Sequence, residues 1–371
     1  GVVYNRKRGV SPPKTKEASL TRNELIERLK DPNPSSMKAL MEEAYRVKRE
    51  NLGPKVFLRG LVEVSNLCSK NCYYCGIRRE NGKVHRYRMS DEEVFRAARW
   101  TWENRYGSLV LQGGEVSSPE FVRDVTRWIE GIVRLSGGEL GITLSLGEQS
   151  LETYRRWYAA GAHRYLLRIE TSSPELYGKL HPQDHSFKDR VAALERIREA
   201  GFQVGTGVMM GLPFQSLENM ADDILFFQNL DIDMIGMGPY IPHQETPLPN
   251  MDASWTFDPV RQLTLGLKMI ALTRLQLPTV NIASTTALEA LHPEGRERGL
   301  LAGANVIMPQ VGEGVYRKEY LLYEGKPVNE KSPQEVREEM ERRLASIGAV
   351  IGYGEWGDSL HARNRGAGAR R

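Results

Sequence analysis

The chain has 371 residues, 40% of them hydrophobic, and its 51 basic and 47 acidic side chains leave a formal net charge of +4. That length supports a large core in one or two domains, and so balanced a charge excludes nucleic acid as the default partner. No apolar run approaches the roughly 18 residues of a membrane span, and the basic, proline-containing start lacks the apolar centre of a signal peptide, so a cytoplasmic protein is expected.

In chain order, residues 1–18, with Ser11-Pro12-Pro13, read as a flexible arm. Residues 19–55 read as a helical lead-in, because Leu40, Met41, Ala44 and Val47 recur at helical spacing. From there short apolar runs alternate with amphipathic stretches: Val56–Val64, Ser108–Leu111, Ile142–Leu146, Arg164–Ile169, Gln203–Met210, Met234–Met237, Thr279–Ile282 and Asn305–Met308. Ser90-Asp91-Glu92-Glu93 forms a capping box, and Ser118-Pro119-Glu120 puts proline at a first helical position. Eight strand–helix units in series predict an α/β fold, a closed (β/α)8 TIM barrel over residues 56–358 that includes a C-terminal extension. Residues 359–371 read as a flexible tail.

All three cysteines of the chain fall in Cys68-Ser69-Lys70-Asn71-Cys72-Tyr73-Tyr74-Cys75, directly after the first run. Three thiolates on one short loop can hold three irons of a 4Fe–4S cluster and leave the fourth iron open to a ligand. A structural zinc site is the alternative; it needs a fourth ligand, for which His85 is the candidate, although zinc fingers usually pair C-x2-C with a second close pair. A disulfide framework leaves one cysteine over. The C-x3-C-x2-C spacing, with an aromatic residue before the last cysteine, resembles the signature of the radical S-adenosylmethionine (SAM) enzymes. In that family the open iron chelates SAM, and the cluster's electron cleaves the sulfonium to a 5′-deoxyadenosyl radical.

Active sites of such barrels collect at the C-terminal strand ends. Gln112-Gly113-Gly114-Glu115 follows the second run; its glycines let a ligand approach the backbone, and it resembles the segment that contacts the SAM amino group. Glu170, at the fourth strand end, can neutralise the ammonium or sulfonium of SAM. Arg190 can pair with the SAM carboxylate as a guanidinium fork. Read without a ligand, Arg168 and Glu170 are a strand-end ion pair. Met210-Gly211-Leu212-Pro213 resembles a segment that packs on adenine, with Met209 and Met210 otherwise ordinary core. His243 reads as a hydrogen-bonded loop residue.

The ordered set of motifs resembles a narrower family, the HydE-type FeFe-hydrogenase maturases. It is carried by Glu63-Val64-Ser65-Asn66, Tyr74-Cys75-Gly76-Ile77-Arg78-Arg79, Tyr87-Arg88-Met89, Leu144-Ser145-Leu146-Gly147-Glu148 and Tyr165-Leu166-Leu167-Arg168-Ile169-Glu170-Thr171. Gly238-Pro239-Tyr240-Ile241-Pro242-His243, Ala283-Ser284-Thr285-Thr286-Ala287 and Gly303-Ala304-Asn305-Val306-Ile307-Met308-Pro309 extend it to all eight strand ends. The resemblance implies one 4Fe–4S cluster on Cys68, Cys72 and Cys75. It implies SAM contacts at Tyr74, Gln112, Gly113, Gly114, Glu170, Arg190, Met210 and Leu212. The substrate it implies is a cysteine-bound iron carbonyl cyanide complex, or a sulfur heterocycle of thiazolidine type, held by Arg168, Thr285, Thr286, Ala287 and Tyr316, with Gln112 and Met308 lining the space between. HydG and HydF are the implied maturation partners, a ferredoxin or flavodoxin the implied reductant, and an anaerobic cell the implied setting. The chain departs from several relatives in having no cysteines near its C-terminus for a second cluster. That absence also argues against biotin synthase, whose sacrificial cluster needs further cysteines. A methylornithine synthase-like mutase and a zinc-bound scaffold are the alternatives.

Overall fold

The structure, a computed structural model, describes residues 19–312, 314–327 and 331–366; the arm expected at 1–18 and the end of the tail, 367–371, lie outside them. Eight parallel strands form one curled sheet: β1 (Lys55–Ser65), β2 (Ser108–Gly113), β3 (Gly141–Ser145), β4 (Arg164–Leu166), β5 (Gln203–Thr206), β6 (Met234–Ile235), β7 (Asn281–Ile282) and β8 (Val306–Ile307). Each overlaps one of the eight apolar runs. The spatial order is sequential from β1 to β7, with β8 paired on the far edge of β1 through Phe57–Val306 and Leu58–Ile307. A single bridge, Ala283–Val306, and the backbone hydrogen bonds from Asn305 N to Ile282 O and Ser284 N to Val306 O, both 2.9 Å, join β7 to β8, helped by the Asn305 side chain, which accepts from Ile282 N at 2.9 Å and donates to Asn281 Oδ1 at 2.8 Å. The closed barrel expected from the sequence is thus present as a curled eight-stranded sheet whose seam is one bridge rather than a ladder. The physical reason is that β6, β7 and β8 have two residues each, too few to build a ladder.

Helices cover the outside, and their starts follow local chemistry. Ser90 caps the helix Asp91–Glu103, its hydroxyl accepting from Glu93 N while Glu93 accepts from Ser90 N. Pro119 opens the helix Pro119–Ser136 behind Ser118, and Gly137 ends it in the left-handed region at φ +59°. Two helices, Arg22–Lys30 and Pro34–Leu52, precede β1; Pro32 and Pro34 divide what would otherwise be one amphipathic run. No helix among the described residues is long and apolar enough to cross a membrane.

The C-terminal segment closes the floor of the barrel. Val350–Ile351 extends the sheet beside the start of β1. Asp358 then accepts from the fully buried Arg164 at 2.6 Å and from His163 at 3.1 Å, and the Gly357 carbonyl accepts from Asn281 and Arg59. Residues 359–366 correct the expectation of a tail flexible from 359 onward: Leu360–Asn364 is helical, Ala362 is buried, and Arg365 pairs with Asp231 and Asp233 at 2.6 Å. Polar composition hid this because the anchor is ionic.

Candidate active site

The C-terminal strand ends and the loops beyond them surround a cavity of about 300 Å³. It is lined by Cys68, Cys72 and Cys75, and by Tyr74, Gln112, Gly113, Gly114, Arg168, Glu170, Arg190, Thr285, Thr286, Ala287 and Met308. Most of the residues singled out by sequence therefore meet in one space. A second cavity, of about 230 Å³, lies on the far side of Thr286, Arg296 and Gln310 and contains none of the cysteines.

The cysteine loop is held by its surroundings. Gly114 presses against it so closely that a Cβ there would stand 2.2 Å from Leu67 O and 2.7 Å from the Cys68 Cβ. Its lack of a side chain therefore serves the loop directly, and Gly114 also lines the cavity. Glu115 N donates to Cys68 Sγ at 3.4 Å, and Ser69 N donates to Glu115 O at 2.8 Å. Arg86 gathers the return of the loop by donating to the carbonyls of Asn66, Ile77 and Arg78. Two histidines brace it from beyond β4. His185 Nε2 accepts from Asn71 N at 2.9 Å, and His181 meets the Tyr74 hydroxyl at 3.1 Å. Because His181 Nδ1 faces the Tyr177 carbonyl at 2.9 Å, that nitrogen carries the proton and Nε2 accepts from Tyr74. Burial lowers His181 to about 3, so the ring is neutral.

Burial raises all three thiols, Cys72 to about 12. Taking up metal there would displace the protons and stabilise the loop. Among the described residues no three His, Cys, Asp or Glu side chains converge closely enough to hold a single metal ion, and His85 is exposed and outside the cavity lining. The zinc alternative thus lacks its fourth ligand. Three thiols that serve three separate irons need no common centre, and this donor set fits such a cluster.

Beside the loop, charge alternates. Arg190 donates to Glu148 at 2.5 Å and faces Glu115 at 3.8 Å, while Lys70, from within the cysteine motif, lies 3.3 Å from Glu115 and 3.5 Å from Glu148. Glu170 is buried, and its backbone sits in the left-handed region at φ +66°, a strained conformation for a residue with a side chain. Arg168 approaches Glu170 Oε2 at 3.0 Å, but off the angle of a hydrogen bond, so that oxygen remains without a hydrogen-bond partner. Desolvation raises the Glu170 carboxyl, opposed by Arg168 and Arg190. A buried acceptor of this kind suits a cationic ligand. Asp223, fully buried behind this turn, accepts from Ser172 N at 2.6 Å and Ser172 Oγ at 2.7 Å.

Three expected site residues lie elsewhere. Met210 faces the core, because Met209 and Met210 are successive residues of one short strand and point to opposite sides; Met209 lines the cavity instead. Leu212 packs with Leu176, Leu180, Met209, Tyr240 and Leu248 behind Tyr73 and Tyr74. Tyr316 stacks on Tyr87 at 4.3 Å and donates to Glu93 at 2.7 Å, away from the cavity, because residues 314–319 coil into a tight helical turn. Tyr320 and Tyr323 take the wall assigned to it: Gln112 reaches the Tyr320 hydroxyl at 3.4 Å, and Tyr323 shares a 2.8 Å hydrogen bond with Thr286. Glu63, Arg296, Gln310 and Lys326 also line the space; position just past the eighth run was the only sequence signal for Gln310.

Comparison with known proteins agrees with this architecture. Residues 62–227 match the Radical SAM superfamily, the class of enzyme in which a 4Fe–4S cluster and SAM work together. Over 313 residues the chain is 43% identical to the [FeFe] hydrogenase maturase subunit HydE of Thermotoga maritima, covering 84% of this chain and 86% of that protein. The chain belongs to the HydE family of radical SAM enzymes, which is also the family its motifs resemble. It is 28% identical to biotin synthase of Crocosphaera subtropica over 78% of this chain and 75% of that one. The fold is shared with a crystal structure of methylornithine synthase, at TM-score 0.76 and 23% identity over 91% of this chain and 96% of that one. It is also shared with the FeFe-hydrogenase maturase HydG of Carboxydothermus hydrogenoformans, at TM-score 0.72 and 23% identity over 90% and 76%.

Proposed function

We propose that the chain directs a 5′-deoxyadenosyl radical at the sulfur of a small cysteine-bound iron carbonyl cyanide complex during assembly of the hydrogenase diiron subcluster. The single observation that carries the reading is that one cavity is lined both by the three thiols and by Arg168, Thr285 and Thr286, in a chain 43% identical to a HydE. Cys68, Cys72 and Cys75 would hold three irons of the cluster, which with SAM bound supplies the radical. Glu170 offers a buried counter-charge to the SAM cation. Arg190, oriented by Glu148, offers a guanidinium to the SAM carboxylate. Tyr74 is fixed by His181, so its ring can wall the cofactor side without reorganising. On the substrate side, Thr285, Thr286 and the Ala287 backbone offer donors and Arg168 positive charge, because an anion buried without partners is prohibitive. A thiazolidine-type sulfur heterocycle would fit the same donors. HydG as supplier of the complex, HydF as a further maturation partner and a ferredoxin or flavodoxin as reductant complete the reading.

The test is anaerobic turnover by the reconstituted enzyme with dithionite, SAM and a synthetic iron–cysteine carbonyl cyanide complex. The wild type should consume the complex, while Arg168→Ala loses that turnover and keeps abortive SAM cleavage. Normal processing by Arg168→Ala, or conversion of lysine to methylornithine by the wild type, would overturn the assignment.

A further inference from the structure

The cavity contains an ion pair that this reading leaves unused. The side chain of Lys326, in the loop after β8, is 5% exposed, and that of Glu63, on β1, is 7% exposed. Their charged ends are in direct hydrogen-bond contact. Gln310 Nε2 donates to the other Glu63 oxygen at 3.1 Å, and the Lys326 ammonium also donates to Tyr320 O at 2.7 Å, standing 4.7 Å from the centre of the Tyr320 ring. All four residues line the main cavity, together with Tyr323, Thr286 and Arg296.

Stability does not account for such a pair. Replacing a buried ion pair by well-packed apolar residues is often neutral or stabilising, because desolvation offsets the attraction. A compensated pair at a cavity wall does have an electrostatic consequence. Arg168 is matched by Glu170, Arg296 by Glu289 at 2.8 Å, and Lys326 by Glu63. Each cation on this wall therefore faces an incoming ligand beside a carboxylate that offsets it. Of these carboxylates, Glu63 is the one tied to the loop carrying Tyr320 and Tyr323, so its charge acts on the wall next to the substrate donors.

We propose that Lys326 is a specificity-determining cation for an anionic substrate, and that Glu63 holds its ammonium in place while damping its pull, so that the anion is selected and still released. The inference rests on the anionic sulfur substrate proposed above and adds the group that recognises its charge. It differs from a purely structural role in sign. If the pair only fastens the loop, removing either partner loosens the wall and weakens binding. If it tunes charge, the two removals act in opposite directions.

The measurement is equilibrium binding of thiazolidine-4-carboxylate, with thiazolidine-4-carboxamide as the neutral control, to the anaerobic holoenzyme loaded with cluster and SAM. Lys326→Met should weaken the carboxylate about tenfold and Glu63→Gln, which keeps the shape and an acceptor oxygen for Lys326 while its new NH2 donates to the Gln310 amide oxygen once that amide turns over, should tighten it about tenfold, roughly 1.4 kcal/mol either way. The carboxamide should move by less than about twofold in both, and Lys326→Arg should retain wild-type binding. Lys326→Gln, which keeps a donor toward Tyr320 O, gives the same reading where Lys326→Met does not fold. Weaker carboxylate binding in both variants, or no change in Glu63→Gln, refutes the inference alone. A wild type that binds neither compound refutes the sulfur-ligand reading and the inference with it.

Discussion

Gly114→Ala tests whether the cysteine loop is positioned by the loop beneath it. The backbone of Gly114 is not in the left-handed region, so alanine is conformationally acceptable and the penalty is steric. The new methyl would meet Leu67 O at 2.2 Å, whereas ordinary contact begins at 3.4 Å, so the chain on one side must yield by about 1.2 Å. The obstruction is backbone and the Cβ of Cys68, with no flexible side-chain end to swing away. Overpacking of this kind costs about 1–3 kcal/mol, which lowers the melting temperature by about 4 °C at most in a chain of this size. The local effect is larger, because ligand distances at a metal site tolerate only about 0.2 Å. Anaerobic reconstitution followed by iron and sulfide analysis should therefore show a marked loss of cluster from a protein that still melts cooperatively. Gly82→Ala, on the same loop with nothing within 4 Å of a Cβ, is the control and should load normally. If Gly114→Ala holds as much iron as Gly82→Ala and binds SAM equally well, the loop is self-supporting and the argument fails.

Glu170→Ala should lower SAM affinity by roughly 10- to 100-fold, the range of a hydrogen bond to a charged group, with iron content unchanged; unchanged affinity by equilibrium dialysis would leave Glu170 as an ion-pair partner of Arg168 only. Desolvation pushes the Asp223 carboxyl from an ordinary 3.8 up to about 7, so the folded state holds a proton that the unfolded state releases: its stabilisation is complete below about pH 4 and lost as pH rises through 7. Asp223→Asn, whose Oδ1 still accepts from Ser172, should flatten that part of the melting profile between pH 4 and 7, and an identical slope in both proteins would refute the assignment. Tyr316→Phe removes the hydrogen bond to Glu93 and should cost about 1 kcal/mol in urea unfolding while binding of thiazolidine-4-carboxylate stays constant; a change in that binding would return Tyr316 to the substrate side of the cavity.

The sequence exposes what local pattern controls. All eight strands overlap the apolar runs, and the strand-end rule brings the cysteines, Gly113–Gly114, Glu170 and Thr285–Thr286 to one cavity. The failures occur where local pattern stops. Met209 and Met210 differ only in which way a two-residue strand faces, and Gly207, between β5 and that strand, breaks the alternation that would have decided it. Past β8 no periodicity separates Tyr316 from Tyr320 or Tyr323; a turn of tight helix over 314–319 sends the first to Glu93 and the others to the cavity. His181 and His185 were silent because each acts through a single long-range hydrogen bond, which leaves no spacing to read.

These silent residues explain why the cysteine motif specifies a ligand set but not a place. Within Cys68–Cys75 the run has no helix or strand to fix it. Its position comes from other strand ends: Gly114 and Glu115 after β2 press on Leu67, Cys68 and Ser69, His181 and His185 after β4 hold Tyr74 and Asn71, and the Leu322 carbonyl after β8 accepts from Gly76 N at 3.0 Å. Gly76 is tied to that last contact, since a Cβ there would stand 2.0 Å from Leu321 O. The same loop after β8 carries Tyr320, Tyr323 and Lys326 into the cavity. The walls of the cofactor and substrate sides therefore meet through the Gly76–Leu322 contact.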